Sequence, residues 1–358
     1  MNPVHLYVHI PYCAIKCPYC DFVCDLPKKL PGAKEYADAL IRDLEFCQGP
    51  LETVFFGGGT PTEMDTAELK RVLEVVGKKI QPGTEWSVEA NPKTLTQEIA
   101  DLLYEFGVTR ISLGIQSTLD KVLKQLGRGH QHKDTIEAVQ IIKKAGFTNF
   151  SGDILFGLPE QDVQQTVDFM IEHNFPHVSA YELTIEGDSH WAIKQKDPSA
   201  EGHLKLEQHN IIIDALTSGP YERYEVSNFS QPGFQCRHNL NTWKCGEFAG
   251  VGVAAHGHLH LKRYRNTPNA ADYVSGTELI DEPITNILAD TLLVVMRLVN
   301  GVSICDLPNN RQKVIQSPES QVLLHRLQEA NYLTFDDSAI TPTKKGLLFL
   351  NDAVLMVL

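Results

Sequence analysis

Cys13, Cys17 and Cys20 stand in the pattern CxxxCxxC directly after the first apolar run of the chain. Thiolates are the usual ligands of iron-sulfur clusters, and three of them on a [4Fe-4S] cluster leave one iron without a protein ligand. An open iron can chelate the amino and carboxylate groups of a small molecule such as S-adenosylmethionine, whose bond cleavage is then the cofactor's own chemistry. Zinc is the competing reading. A structural zinc site wants a fourth ligand, and neither Cys24 nor His9 falls at a customary spacing. The chain has eight cysteines, and three crowded together with no export signal argue for metal over disulfides. Cys47 and Cys305 read as core thiols.

Other residues with chemical potential lie further along. Gly57, Gly58 and Gly59 follow an apolar run, where missing side chains let backbone approach a ligand. Asp153 sits inside GDILFGL, where a carboxylate without a partner would cost several kcal/mol, so a partner such as a ligand hydroxyl is expected. His256, His258 and His260 alternate along one run with no carboxylate or cysteine to complete a metal site, and read as structural or peripheral.

Six strand-like runs position these residues: Val4–Ile10, Thr53–Phe56, Glu85–Glu89, Arg110–Gln116, Asn149–Phe156 and His177–Leu183. A helical pattern follows each. Asp65, Thr96 and Asp162 read as helix N-caps, and Gly107 and Gly146 as helix stops. Alternating strand and helix means a parallel sheet, either doubly wound or an incomplete barrel. The segments HIPYC, GGGTP, EANP, GIQS, DILFGLP and YELT all fall at strand C-terminal ends, where parallel βα folds gather their chemistry. The reading is therefore an α/β protein built on a partial (βα)6 TIM-type barrel. Beyond about residue 215 the rhythm breaks, which predicts a barrel over residues 1–215 and a C-terminal α/β region over 216–358. Its end, a helix over Glu319–Ala330, a strand over Tyr332–Phe335 and a helix from Lys344, suggests a small winged-helix-like module.

YVHIPYCAIKCPYCDF, FFGGGTPT, VEANP, LGIQS, LGRGH, DILFGLP and RHNLNTW occur in one order. In that order they resemble the radical SAM superfamily, in the branch of oxygen-independent coproporphyrinogen III oxidases and HemW-type heme chaperones. The resemblance spans essentially the whole chain. It implies a [4Fe-4S] cluster on Cys13, Cys17 and Cys20, with S-adenosylmethionine held by Tyr7, Tyr19, Gly58, Gly59, Thr60, Glu89, Gln116, Arg128 and Asp153. The chemistry of these side chains matches that ligand, since Glu89 and Asp153 accept from ammonium or hydroxyl and Arg128 pairs with a carboxylate.

Two departures from the oxidases favour the chaperone side of that branch. Phe22 stands where the oxidases carry a fourth cysteine, and the chain begins near its first strand without their N-terminal extension. The chaperones' HNxxYW motif appears as His238, Asn239, Leu240, Asn241, Thr242 and Trp243, with Thr242 in place of tyrosine. Imidazole is a common axial ligand of heme iron, and an indole can cover the macrocycle, so His238, Asn239 and Trp243 become the candidate heme residues. Cys236 and Cys245 flank the motif without forming CxxCH, so covalent c-type attachment is not indicated.

The resemblance thus implies a heme chaperone that passes heme to an acceptor such as a respiratory hemoprotein, served by an electron donor for its cluster, with no catalytic residue assigned. The alternatives are a coproporphyrinogen oxidase, acting by radical decarboxylation, and a zinc-stabilised binding module. Lys and Arg number 32 against 45 Asp and Glu, a net charge of −13, which argues against nucleic acid as a partner. With no leader pattern and no apolar run long enough to span a bilayer, the cytoplasm is the expected location. Any membrane contact would come only through the acceptor.

Overall fold

The computed structural model describes residues 4–47, 49–187, 189–277 and 279–358. All six expected strands form: β1 (His5–Ile10), β2 (Leu51–Gly58), β3 (Ile80–Ala90), β4 (Arg110–Gln116), β5 (Phe150–Phe156) and β6 (His177–Glu182). They lie side by side in sequence order and pair in parallel throughout. The expected caps hold the intervening helices. Asp65 accepts from the backbone N–H of Ala67 and Glu68, Thr96 from that of Ile99, and Asp162 from that of Gln165. Gly107 and Gly146 follow the helices Gln97–Glu105 and His132–Lys144 at φ +88° and +100°, the left-handed conformation that stops a helix.

The two faces of the strands differ in kind. Leu6, Val8, Ile10, Val54, Phe56, Trp86, Val88, Ile111, Leu113 and Ile115 join the helices in the main core, each worth about 1.5–3 kcal/mol on burial. The alternate residues are mostly polar and face inward: Glu89 on β3, Arg110, Ser112 and Gln116 on β4, Asp153 on β5 and Ser179 on β6 line one cavity. Parallel strands covered on both faces are ordinarily apolar throughout. This alternation marks a barrel with a hollow, polar interior.

Residue 215 falls within the helix Gly202–Thr217, and the chain beyond it returns to both edges of the large sheet. Strands β7 (Glu222–Arg223) and β8 (Asn228–Ser230) add antiparallel beyond β6, while β9 (Ala249–Val251) pairs parallel with β1. Tyr221, Phe229, Val251 and Tyr273 accordingly belong to the barrel's core. A second core gathers residues from Leu288 to Val357, together with Cys245. It is built in the order helix (Ile287–Val295), strand (Val302–Ser303), helix (Asn309–Ile315), helix (Pro318–Glu329) and two strands (Leu333–Phe335, Ala339–Pro342), the strands forming one antiparallel sheet. Cys47 is a buried thiol as expected, but Cys305 is not: it lies exposed on the short turn Ile304–Asp306, which buries Ile304 in its place. No helix among the described residues is long and apolar enough to cross a membrane.

Candidate functional site at the barrel mouth and base

The cysteine loop leaves β1 and is tied down at both ends. Cys13 N–H donates to Asp25 O (3.0 Å) and Asp25 N–H to Pro11 O (3.0 Å), closing the loop as a short parallel bridge. Beneath it, His9 Nε2 donates to Val23 O at 2.9 Å, which leaves Nδ1 to accept from the Tyr7 hydroxyl at 3.1 Å. Burial holds His9 down to about 4, so the imidazole stays neutral and this tautomer persists. Mid-loop, Pro18 O accepts from Trp191 N–H at 2.9 Å.

Within the loop, the neighbouring Cys24 thiol lowers Cys13 and holds Cys20 down to about 7, whereas burial raises Cys17. Lowered thiols favour the thiolate form that binds iron. Arg128 places Nη1 3.6 Å from Cys17 Sγ and donates through Nη2 to Gly114 O at 3.0 Å, bringing positive charge to the loop.

Cys13, Cys17, Cys20 and Cys24 all line a cavity of about 600 Å³ that runs down the barrel, a volume ordinary for a small-molecule site. Of the residues implied for S-adenosylmethionine, Tyr19, Gly58, Gly59, Thr60, Glu89, Gln116, Arg128 and Asp153 line the same cavity. Tyr7 does not line it; its ring stacks at 6.2 Å on Phe55, which does. At Gly59 an added Cβ would lie 2.7–2.8 Å from backbone atoms of Ile10, Pro11 and Tyr12, so only glycine lets β2 pass this close to the loop. Gln116 is held at φ +67°, a rare conformation for a side-chain-bearing residue, at the end of β4.

Two half-buried carboxyls line this cavity, Glu89 and Asp153. Burial, and then the proximity of Asp153, push Glu89 up to about 8; burial also raises Asp153, although Ser112 donates to it at 3.1 and 3.2 Å. Arg110 tempers the rise at Asp153, but among the described residues no positive charge acts on Glu89. The ammonium and sulfonium of S-adenosylmethionine would supply it, and the cysteine donor set beside it suits an iron-sulfur cluster, so the residues present fit both groups.

The far end of the cavity lies at the base of the barrel, where Arg110, Cys236 and Asn239 complete its wall. Cys236 precedes and Asn239 belongs to the seven-residue helix Arg237–Trp243, here termed the HN helix. Glu85 of β3, itself buried, caps that helix: Oε2 accepts from Arg237 N–H at 2.9 Å and Oε1 from His238 N–H at 3.0 Å. Replacing Glu85 by alanine leaves two N–H groups at a buried helix terminus unsatisfied and should cost about 2–3 kcal/mol of unfolding free energy. Chemical denaturation of Glu85→Ala against wild type checks this, and Glu85→Gln should recover part of the loss.

The radical SAM superfamily profile matches residues 7–170. The heme chaperone HemW of Haemophilus influenzae is 34% identical over 304 residues, which cover 79% of this chain and 78% of that protein. HemW of Escherichia coli is 35% identical over 270 residues, covering 72% and 70%, and that of Mycobacterium tuberculosis 32% over 329, covering 86% and 84%. The chain belongs to the HemW family of radical SAM proteins. Its cofactors accordingly include a [4Fe-4S] cluster and S-adenosylmethionine. The solved structure of coproporphyrinogen III oxidase (HemN) from Escherichia coli superposes with a TM-score of 0.83 at 20% identity, covering 99% of this chain and 90% of that one. That likeness shows the shared fold.

In this HemW-family chain the motif residues are not gathered on one surface. His238 is 5% exposed, with its ring between those of Phe55 (5.5 Å) and Phe248 (6.1 Å). Its Nδ1 lies 2.8 Å from Thr53 Oγ1, which in turn lies 2.9 Å from His5 Nδ1. Trp243 turns the other way, toward the second core, with the Arg297 guanidinium 4.9 Å from its ring centre. The expectation that Trp243 packs on a ring ligated by His238 is therefore corrected. Five residues along a helix rotate about 140°, which puts the two side chains on opposite sides. His256 pairs with Glu282 at 3.4 Å and His258 Nδ1 lies 3.3 Å from Gly246 O, both peripheral to the cavity.

Glu85, Arg110, Ser112 and Ser179 do not stand out in the sequence as site residues. Their one signal there is the polar residue at every second place of EWSVEA, RISLGIQ and HVSAYE.

Proposed function

We propose that this chain is a heme chaperone: residues 1–215 hold the [4Fe-4S] cluster and S-adenosylmethionine, residues 216–358 carry the heme motif, and bound heme passes to an acceptor protein. The reading rests on the HemW relatives, 32–35% identical over most of their length, whose names describe heme chaperones. It is supported by the fit of the mouth residues to both cofactors and by the HN helix docked on the same cavity.

When bound, the cluster and S-adenosylmethionine supply one-electron chemistry. The residues of the chain bind and orient. Glu89 and Asp153 offer carboxyl oxygens to a cationic ligand, and Arg128 offers a guanidinium to its carboxylate. At the base, Thr53 occupies Nδ1 of His238 and leaves Nε2 as the nitrogen for iron, the arrangement metal-binding histidines usually adopt. Burial holds His238 down to about 3, so the imidazole stays in its ligating, neutral form throughout the physiological range.

The test is an anaerobic titration of reconstituted protein with heme and with S-adenosylmethionine, followed by mixing with an apo-hemoprotein. A Soret band that moves to the acceptor is the expected result. Conversion of coproporphyrinogen III at an ordinary enzymatic rate, above about one per second, would favour the oxidase instead.

A further inference from the structure

Arg110 enters from β4 at the base of the barrel and is 2% exposed. Neither its Nε nor its Nη1 has a hydrogen-bond partner among the described residues, yet the side chain lines the cavity. The Arg110 charge tempers the rise at Asp153, but no hydrogen bond joins the two among the described residues: Asp153 takes its hydrogen bonds from Ser112 at 3.1 and 3.2 Å and from Ser151 at 3.5 Å. A buried guanidinium with unused donors is costly until an anion meets it, and its planar fork suits a carboxylate.

We propose that Arg110 forms a carboxylate-binding subsite at the closed end of the barrel cavity, for an amphipathic carboxylic acid lodged between the cysteine loop and the HN helix. Asn239 completes the polar end of this subsite. Phe55 on β2, and Leu155 and Leu183 at the C-terminal ends of β5 and β6, line the same cavity and offer apolar surface to the body of such a ligand. Glu89 and Asp153, on the walls above, disfavour a doubly charged phosphate and leave a singly charged carboxylate as the matching group. The S-adenosylmethionine carboxylate has its own partner in Arg128 near the mouth, so Arg110 serves a second ligand.

The choice of a tetrapyrrole as first probe rests on the heme-chaperone reading; the subsite itself does not. Reconstituted protein is titrated with protoporphyrin IX and with its dimethyl ester, and separately with dodecanoate and its methyl ester. Because metal-free porphyrin forms no iron-imidazole bond, this readout is independent of His238. The acid should bind at least tenfold more tightly than its ester. Arg110→Met should abolish the preference, Arg110→Lys should retain part of it, and iron content should be unchanged in both. Preference for dodecanoate without porphyrin binding upholds the subsite and sinks the heme reading. Equal affinity for acid and ester in the wild type, a preference that persists in Arg110→Met, or no binding of either acid overturns the proposal. The comparison in the wild type needs no variant, so a folding defect in Arg110→Met leaves the test intact.

Discussion

Replacing Cys17 by alanine should strip the protein of its cluster, taking anaerobically reconstituted iron from about four atoms per chain to near zero. On the proposed assignment each of Cys13, Cys17 and Cys20 would hold a different iron, so two remaining thiolates would leave a second iron open and the cluster exposed to loss. Cys17 is the informative position. Its thiol is the one Arg128 touches, and it is the one of the three that burial raises, so iron must displace its proton against the local environment. Cys24→Ser should retain the cluster, because Cys24 lies outside CxxxCxxC even though its side chain reaches the same cavity. Iron and sulfide analysis with the visible absorption shoulder reads both variants. Full iron in Cys17→Ala, or zinc as the purified metal, would refute the assignment.

His238→Ala should weaken heme binding by tenfold or more, about 1.4 kcal/mol, while iron-sulfur content stays at the wild-type value. The imidazole is neutral and its Nδ1 is occupied by Thr53, which also engages Nδ1 of the neighbouring His5. Phe55 and Phe248 pack against the buried ring, with centroids 5.5 and 6.1 Å away. The cysteine loop lies at the opposite end of the barrel, so iron-sulfur content serves as the control for folding. Unchanged affinity and an unchanged Soret spectrum in His238→Ala would move the axial ligand elsewhere, with His256 and Cys236 the next positions to test.

The barrel is legible in the sequence because its signals are local. Each strand is short, each following helix opens on a side-chain cap such as Asp65 or Asp162, and the unusual segments all fall at one end of the strands. The cysteine loop is legible for the same reason, since three ligands within eight residues need no tertiary information. What escapes is long-range. Ala249–Val251 carries no pattern that announces β1 as its partner, and Glu85 looks like one more polar residue until its carboxylate is seen holding the HN helix. Sequence therefore places the HN motif in a region remote from the cluster. In the fold, Asn239 and Cys236 share one cavity with Cys13, because the chain after residue 215 doubles back beneath the barrel.

That return has a consequence for how the molecule is made. On a ribosome, β1 emerges well before β9, and β2 covers one of its edges within some fifty residues. The other edge waits for β9, since Leu6 pairs with Ala249. Until then the nascent barrel carries an unpaired strand edge, the kind of surface on which chains join to one another. The contact that closes it is among the most distant in the sequence, and such contacts form late. Synthesis past Val251, rather than completion of the six βα units, is thus the point at which the growing chain stops being sticky.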